Sequence, residues 1–257
     1  VKGAVTLSNT DFTNCSTSSD SSVLFTQQKA DSTVTISKCN FLNCKAKSFV
    51  AQITNGKSVV TGCAFTFDTN DENSAGGAVK SECNDFSCTY CTFTRNYFSG
   101  TLTVKQSGSQ NGAVDISNCI FDDCGGDNTR CFSITTFTTS LTFSNNEIRN
   151  MKPMKKGYFG AINPNSKIDT LEMKNITFAD NVCNALFGGG SGLWVNGVKN
   201  FYFNDCKFIN NVAIKDTETR ISNYYAGDGG GIQYGFTESI YNINMKFENC
   251  LFSKNKA

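Results

Sequence analysis

The chain has 257 residues, with 23 Lys and Arg against 22 Asp and Glu, no His, and a net charge of +1. That balance argues against attachment to nucleic acid or an anionic bilayer through bulk charge. No apolar run approaches the roughly 20 residues a membrane-spanning helix needs, so no membrane insertion by this segment is expected. Thirteen cysteines point to an oxidising compartment, and their odd number leaves at least one thiol unpaired.

In chain order, one frame recurs nine times. It reads "VTLSNTDFTNC" (Val5–Cys15), "VTISKCNFLNC" (Val34–Cys44), a degenerate "SVVTGCAFTFD" (Ser58–Asp68), "FSCTYCTFTRN" (Phe86–Asn96) and "VDISNCIFDDC" (Val114–Cys124). It continues as "LTFSNNEIRNM" (Leu141–Met151), "LEMKNITFADN" (Leu171–Asn181), "FYFNDCKFINN" (Phe201–Asn211) and "MKFENCLFSKN" (Met245–Asn255). With Cys39, Cys63, Cys91, Cys119, Cys206 and Cys250 as position zero, Thr10, Asn146 and Ile176 fill the remaining copies. Successive zeros lie 24 to 30 residues apart, except for a last interval of 44. That period is far too long for a heptad and falls in the solenoid range.

Within each copy, apolar residues at minus five, minus three, zero and plus two alternate with polar ones, as a half-buried strand requires. Helical spacing is sustained nowhere. Short strands repeated once per unit stack in parallel on the next coil and bury their inward residues in one continuous core. The expected fold is all-β: a right-handed, single-stranded parallel β-helix of about nine coils with inward Cys and Phe stacks, a rod of roughly 40 Å. Residues 1–257 read as one β-helix domain. Neither end carries a polar cap, so the expectation is a segment of a longer β-helix or a unit that self-associates end to end into a filament.

The short pairs "CNFLNC" and "CIFDDC" resemble metal motifs. Zinc ligation, however, takes pairs two to four residues apart converging on a point, whereas Cys39, Cys63, Cys91 and Cys119 share one register position and define a line. Architecture explains them, and no metal or cofactor is expected. Stacked coils hold equivalent Cα atoms about 4.8 Å apart, within disulfide reach. Cys83, Cys88 and Cys131 lie off both Cys rows and are the better candidates for turn-to-turn bridges, with connectivity left open.

Phe41, Phe65, Phe93, Phe121, Phe178 and Phe208 recur at plus two, together with Phe12 and Phe252. An inward aromatic ladder fits their phase better than an exposed stacking platform for bases or sugars. Asn96, Asn181, Asn211 and Asn255 at plus five fit left-handed turns and a stacked Asn ladder.

Glycine segments are interleaved with this frame: "GGAV" (Gly76–Val79), "GAI" (Gly160–Ile162), "GGGSGL" (Gly188–Leu193), "GGGI" (Gly229–Ile232), and "GAV" at Gly3–Val5 and Gly112–Val114. None carries the Lys-Ser/Thr and helix of a phosphate loop. Alternation of these segments with "FTRN", "FADN", "FINN" and "FSKN" resembles the GGA[ILV]/FxxN repeats of the chlamydial polymorphic outer membrane proteins, on a pectin-lyase-like β-helix. The resemblance implies a surface-exposed β-helix used in adhesion. It departs from the family in placing Cys for Asn at plus five and in lacking a translocator barrel.

The function expected is therefore an extended structural or adhesive segment of a secreted or cell-surface protein, binding a host surface or glycans. Outward Trp194, with Tyr224 and Tyr225 on an inserted loop, are the candidate binding residues. Asn14 and Asn175 head glycosylation acceptor triplets. The alternative is a carbohydrate-active enzyme, a polysaccharide lyase or glycosidase. Its best constellation is Asp123 and Asp180, two coils apart at plus four, with Arg95 one coil before Asp123 and Asp122 next to it at plus three.

Overall fold

The computed structural model describes residues 4–17, 24–27, 32–46, 49–67, 77–96, 100–105, 112–125, 131–136, 140–151, 160–164, 170–185, 193–196, 198–215, 232–235 and 244–256. All regular elements among them are strands, and every pairing is parallel. Two sheets hold nine strands each, a third holds eight, and Val182–Ala185 pairs with Val212–Lys215. The architecture is a parallel β-solenoid in which each sheet takes one strand per coil.

The first sheet runs from Val5–Ser8 to Asn244–Glu248 and the second from Asp11–Thr13 to Leu251–Ser253. The nine-fold alignment of the sequence is the observed register. Val5 pairs with Val34, Val34 with Ser58, and Ser58 with Phe86. Phe12, Phe41, Phe65, Phe93 and Phe121 pair in turn, Ile148 interrupts the row, and Phe178, Phe208 and Phe252 resume it.

The row is inward. Ring centroids are 4.7 Å apart from Phe12 to Phe41 and from Phe41 to Phe65, 5.2 Å to Phe93 and 4.8 Å to Phe121, all stacked. Phe41, Phe65, Phe93, Phe121, Phe178 and Phe208 are buried, as are Cys39, Cys63, Cys91 and Cys119. One inward polar position is matched across the core: Ser58, in the degenerate coil, faces Ser81 with their hydroxyls 3.3 Å apart.

Three expectations need correction. The glycine segments do more than precede a strand pair, because Gly77–Glu82, Gly160–Pro164, Leu193–Asn196 and Ile232–Gly235 are strands of a third sheet. The two "GAV" segments belong elsewhere, since Val5 and Val114 lie on the first sheet. Alternation alone could not separate these groups, because both sheets read as apolar after glycine.

The left-handed corner is also one residue earlier than expected. Residues at plus four (Asn14, Asn43, Arg95, Asp123, Asn150, Asp180, Asn210, Lys254) and at minus one (among them Asn9, Asn118, Asn145, Asn175, Asp205) have φ between 50° and 57°. Asn and Asp tolerate this conformation best, so these two corners account for much of the asparagine in the chain. The plus-five residues instead point inward, and Asn96, Asn181 and Asn211 are buried.

Cys88, finally, is no turn residue. It lies within the strand Asp85–Thr89, opposite Val60 and Ile116, and is buried. The twelve cysteines whose side chains are described, Cys83 and Cys131 included, are not bonded to one another in this structure.

Candidate functional site

The interior carries a hydrogen-bonding ladder built by two residue types. At position zero, the thiols of Cys63, Cys91, Cys119 and Cys206 lie 3.6, 3.6, 3.4 and 3.4 Å from the minus-three carbonyls of the preceding coil, those of Ile36, Val60, Cys88 and Met173. In the sixth coil Asn146 takes the same place, its Nδ2 donating to Ile116 O at 2.8 Å while its Oδ1 accepts from Cys119 N at 2.9 Å. At plus five, Cys44 and Cys124 donate to Phe12 O and Phe93 O, both at 3.3 Å. Asn96, Asn181, Asn211 and Asn255 donate to the equivalent carbonyls of Phe65, Ile148, Phe178 and Phe208 at 2.7 to 3.1 Å.

Cys and Asn are thus alternative donors to one carbonyl at a corner where the backbone leaves the sheet. Asn adds an acceptor, and so forms a true ladder: Asn181 Nδ2 to Asn211 Oδ1 at 2.9 Å, and Asn211 Nδ2 to Asn255 Oδ1 at 3.0 Å. Burial pushes the Cys44 and Cys206 thiols up to about 11, which keeps them protonated as donors at neutral pH.

On the outer face, the carboxylates selected from sequence fall in two rows. Asp122 lies on the strand Ile120–Asp122 with Arg149 as its partner one coil on. Arg149 Nη2 is 3.1 Å from Asp122 Oδ2, Arg149 Nη1 is 2.8 Å from Glu147 Oε1, and Asn150 Nδ2 donates to Asp122 Oδ1 at 2.8 Å. Burial alone would raise the Asp122 carboxyl, but Asn150 and Arg149 outweigh it and hold it below the usual carboxylate range. Asp122 is therefore a charged acceptor committed to a clasp between two coils, a poor general acid at neutral pH.

Asp123, Asp180 and Arg95 occupy the left-handed corner row, with Asn150 between the two aspartates. Asp180 accepts from Asn210 Nδ2 at 2.9 Å. The contacts thus join Asp122 to Arg149, Asn150 and Glu147, a set legible in the sequence at plus one, plus three and plus four. The expectation named Asp122 without the arginine that sits opposite it.

Alternation also gives the outward residues of the first sheet, which form a groove of about 240 Å3 lined by Glu172, Tyr202, Asn204, Lys246 and Glu248, with Phe203 at its floor. Lys246 Nζ lies 2.7 Å from Glu248 Oε1. The groove opens beside the last described coil, where Met245, Phe247, Leu251 and Phe252 are 38, 42, 47 and 50 % exposed. Met245, Phe247 and Phe252 continue the interior rows, with Phe247 stacked on Phe203 at 4.8 Å and Phe252 on Phe208 at 4.9 Å, while Leu251 points outward in register with Lys207.

Of the candidate binding residues, Trp194 lies in the strand Leu193–Asn196 between Ala161 and Gln233, with Leu193 and Val195 on either side of it buried. Tyr224 and Tyr225 lie outside the described residues. Asn14 and Asn175, of the acceptor triplets, are both exposed on left-handed corners. Among the described residues no three His, Cys, Asp or Glu side chains are grouped to hold a metal ion, and no helix is long and apolar enough to cross a membrane. No protein-family model, curated protein or solved structure matches the chain.

Proposed function

We propose that the chain is an extended structural or adhesive segment of a secreted or cell-surface protein, built on the repeat plan of the polymorphic outer membrane proteins. It carries no catalytic role in this reading, and its partners are copies of itself, further coils of the same polypeptide, or host-surface glycans.

The observation that carries the reading is the coil-on-coil stacking, in which two sheets each take nine parallel strands and the inward Phe and Cys rows run along them. In the last described coil the inward rows hold Met245, Phe247 and Phe252, each more than a third exposed. An edge of parallel strands with unpaired backbone groups and stacked apolar side chains is a template for another coil, and a heterologous contact of that kind propagates. Every strand pairing among the described residues is already of this type.

Sedimentation of the 257-residue chain tests it. Concentration-dependent association is expected, and Phe247→Lys combined with Phe252→Lys should abolish it, because both charges would enter the apolar contact. A wild-type chain that stays monomeric at high concentration overturns the reading. Adhesion is tested separately by cell and glycan binding of a Trp194→Ala, Tyr224→Ala, Tyr225→Ala variant, whose binding should be lost.

A further inference from the structure

Cys88 stands apart from the other thiols. It occupies the minus-three row of the first sheet, where the adjacent coils carry Val60 and Ile116 and the core takes hydrocarbon. From the second coil on, the zero and plus-five thiols whose side chains are described donate to a carbonyl of the preceding coil, as Cys119 does to Cys88 O at 3.4 Å. The Cys88 sulfur sits mid-strand, where the ladder has no carbonyl to serve, and faces the Cys119 sulfur 3.9 Å away across the coil boundary. Both residues are 0 % exposed.

We propose that Cys88 and Cys119 are a cross-coil disulfide site, closed by thiol–disulfide exchange with a small disulfide such as oxidised glutathione. Closing the bond brings the two sulfurs from 3.9 Å to about 2.05 Å, with the rotation of both side chains that the disulfide dihedral demands. The Cys119 thiolate attacks one sulfur of oxidised glutathione, breaking its S–S bond and releasing one glutathione thiolate. The Cys88 thiolate then displaces the second glutathione from that mixed disulfide. Two protons and two electrons leave the protein, and one glutathione disulfide becomes two glutathione thiols. Exchange begun at Cys88 forms the same bond with the same balance.

Because the pair is enclosed, exchange takes place while the fourth and fifth coils are apart, during folding or local opening. Once closed, the bond is shielded from reductant. The bridge would therefore record the redox poise of the compartment where the chain folded.

The test is to unfold and reduce the chain, refold it in a glutathione redox buffer, and verify β-structure by circular dichroism. Free thiols are then alkylated under denaturing conditions and a non-reducing digest is mapped by mass spectrometry. The expected result is a linked Cys88–Cys119 peptide and two fewer alkylated thiols than in protein refolded with excess reductant. Cys88→Val, which installs the residue type of the neighbouring coils, should fold and leave Cys119 alkylated. The thermal midpoint of the oxidised wild type should fall on reduction while that of Cys88→Val does not move by this route. Recovery of Cys88 as a free thiol in refolded, oxidised protein, or its linkage to Cys91 or any other cysteine, overturns the proposal. Should refolding fail, the same map on chain secreted through an oxidising pathway decides between the same outcomes.

Discussion

From the second coil on, each Cys or Asn at an inward corner donates one hydrogen bond to the coil before it, and the two residue types differ in what else they offer. Asn211 donates to Phe178 O at 3.0 Å and accepts from both Asn181 N and Asn181 Nδ2, at 3.3 and 2.9 Å. Asn211→Ala leaves those buried groups unpaired, at about 1–3 kcal/mol each before relaxation, so a loss of about 3 kcal/mol is expected in denaturant unfolding. At Cys124, Asn96 Nδ2 already approaches the sulfur at 3.8 Å. Cys124→Asn should therefore be close to neutral and Cys124→Ala destabilising, a pair of outcomes that a purely apolar role for the thiol would reverse. The thiols also set a pH limit. Cys44 and Cys206 have folded-state values raised to about 11, so the stability they contribute is complete below the ordinary thiol range and is lost as pH rises through about 11. Unfolding midpoints measured with reductant present should fall steeply over that alkaline interval.

The strand rows behave as elements whose value depends on enclosure. Phe121 is fully buried with Phe93 stacked at 4.8 Å, and Phe252 makes the same stack on Phe208 at 4.9 Å while 50 % exposed. Phe121→Ala should cost about 3–5 kcal/mol and Phe252→Ala a small fraction of that, as read by chemical denaturation. Gly112, just before the fifth strand of the first sheet, is constrained by its neighbours. A Cβ at Gly112 would lie 1.7 Å from Asn84 O and 2.9 Å from Asp85 Oδ1, and Asp85 Oδ1 accepts from Ala113 N at 2.8 Å. Gly112→Ala must displace backbone, so it should destabilise by more than the roughly 1–3 kcal/mol typical of overpacking.

In the whole molecule, parallel stacking makes each coil depend on its two neighbours, as in other solenoids. Stability should therefore fall off toward an uncovered coil. Hydrogen exchange is expected to show the slowest amides in the strands from Thr33–Ser37 through Asn200–Asn204, and faster exchange in Asn244–Glu248 and Leu251–Ser253. Association through the Phe247 and Phe252 edge should slow exchange in those two strands. Protection there that is uniform with the interior at low concentration would remove the argument for a sticky edge.

The sequence alone determined the coil. A period-two apolar pattern returning every 24 to 30 residues admits one register, because a one-residue slip would turn every Phe and Cys of a strand outward. That is why the alignment of Phe12 with Phe41, Phe65 and Phe93 is also the observed pairing. The third sheet escaped the reading because strands such as Leu102–Lys105 and Gly160–Pro164 carry neither the Cys nor the Phe that mark the frame. Only the tertiary structure decided which side-chain atoms meet across coils. Asp122 finds Arg149 and Cys88 finds Cys119 because parallel stacking sets residues about 30 positions apart one strand spacing apart, and corner geometry then aims their side chains. A linear pattern fixes which residues share a row. The twist of each corner fixes which of them touch.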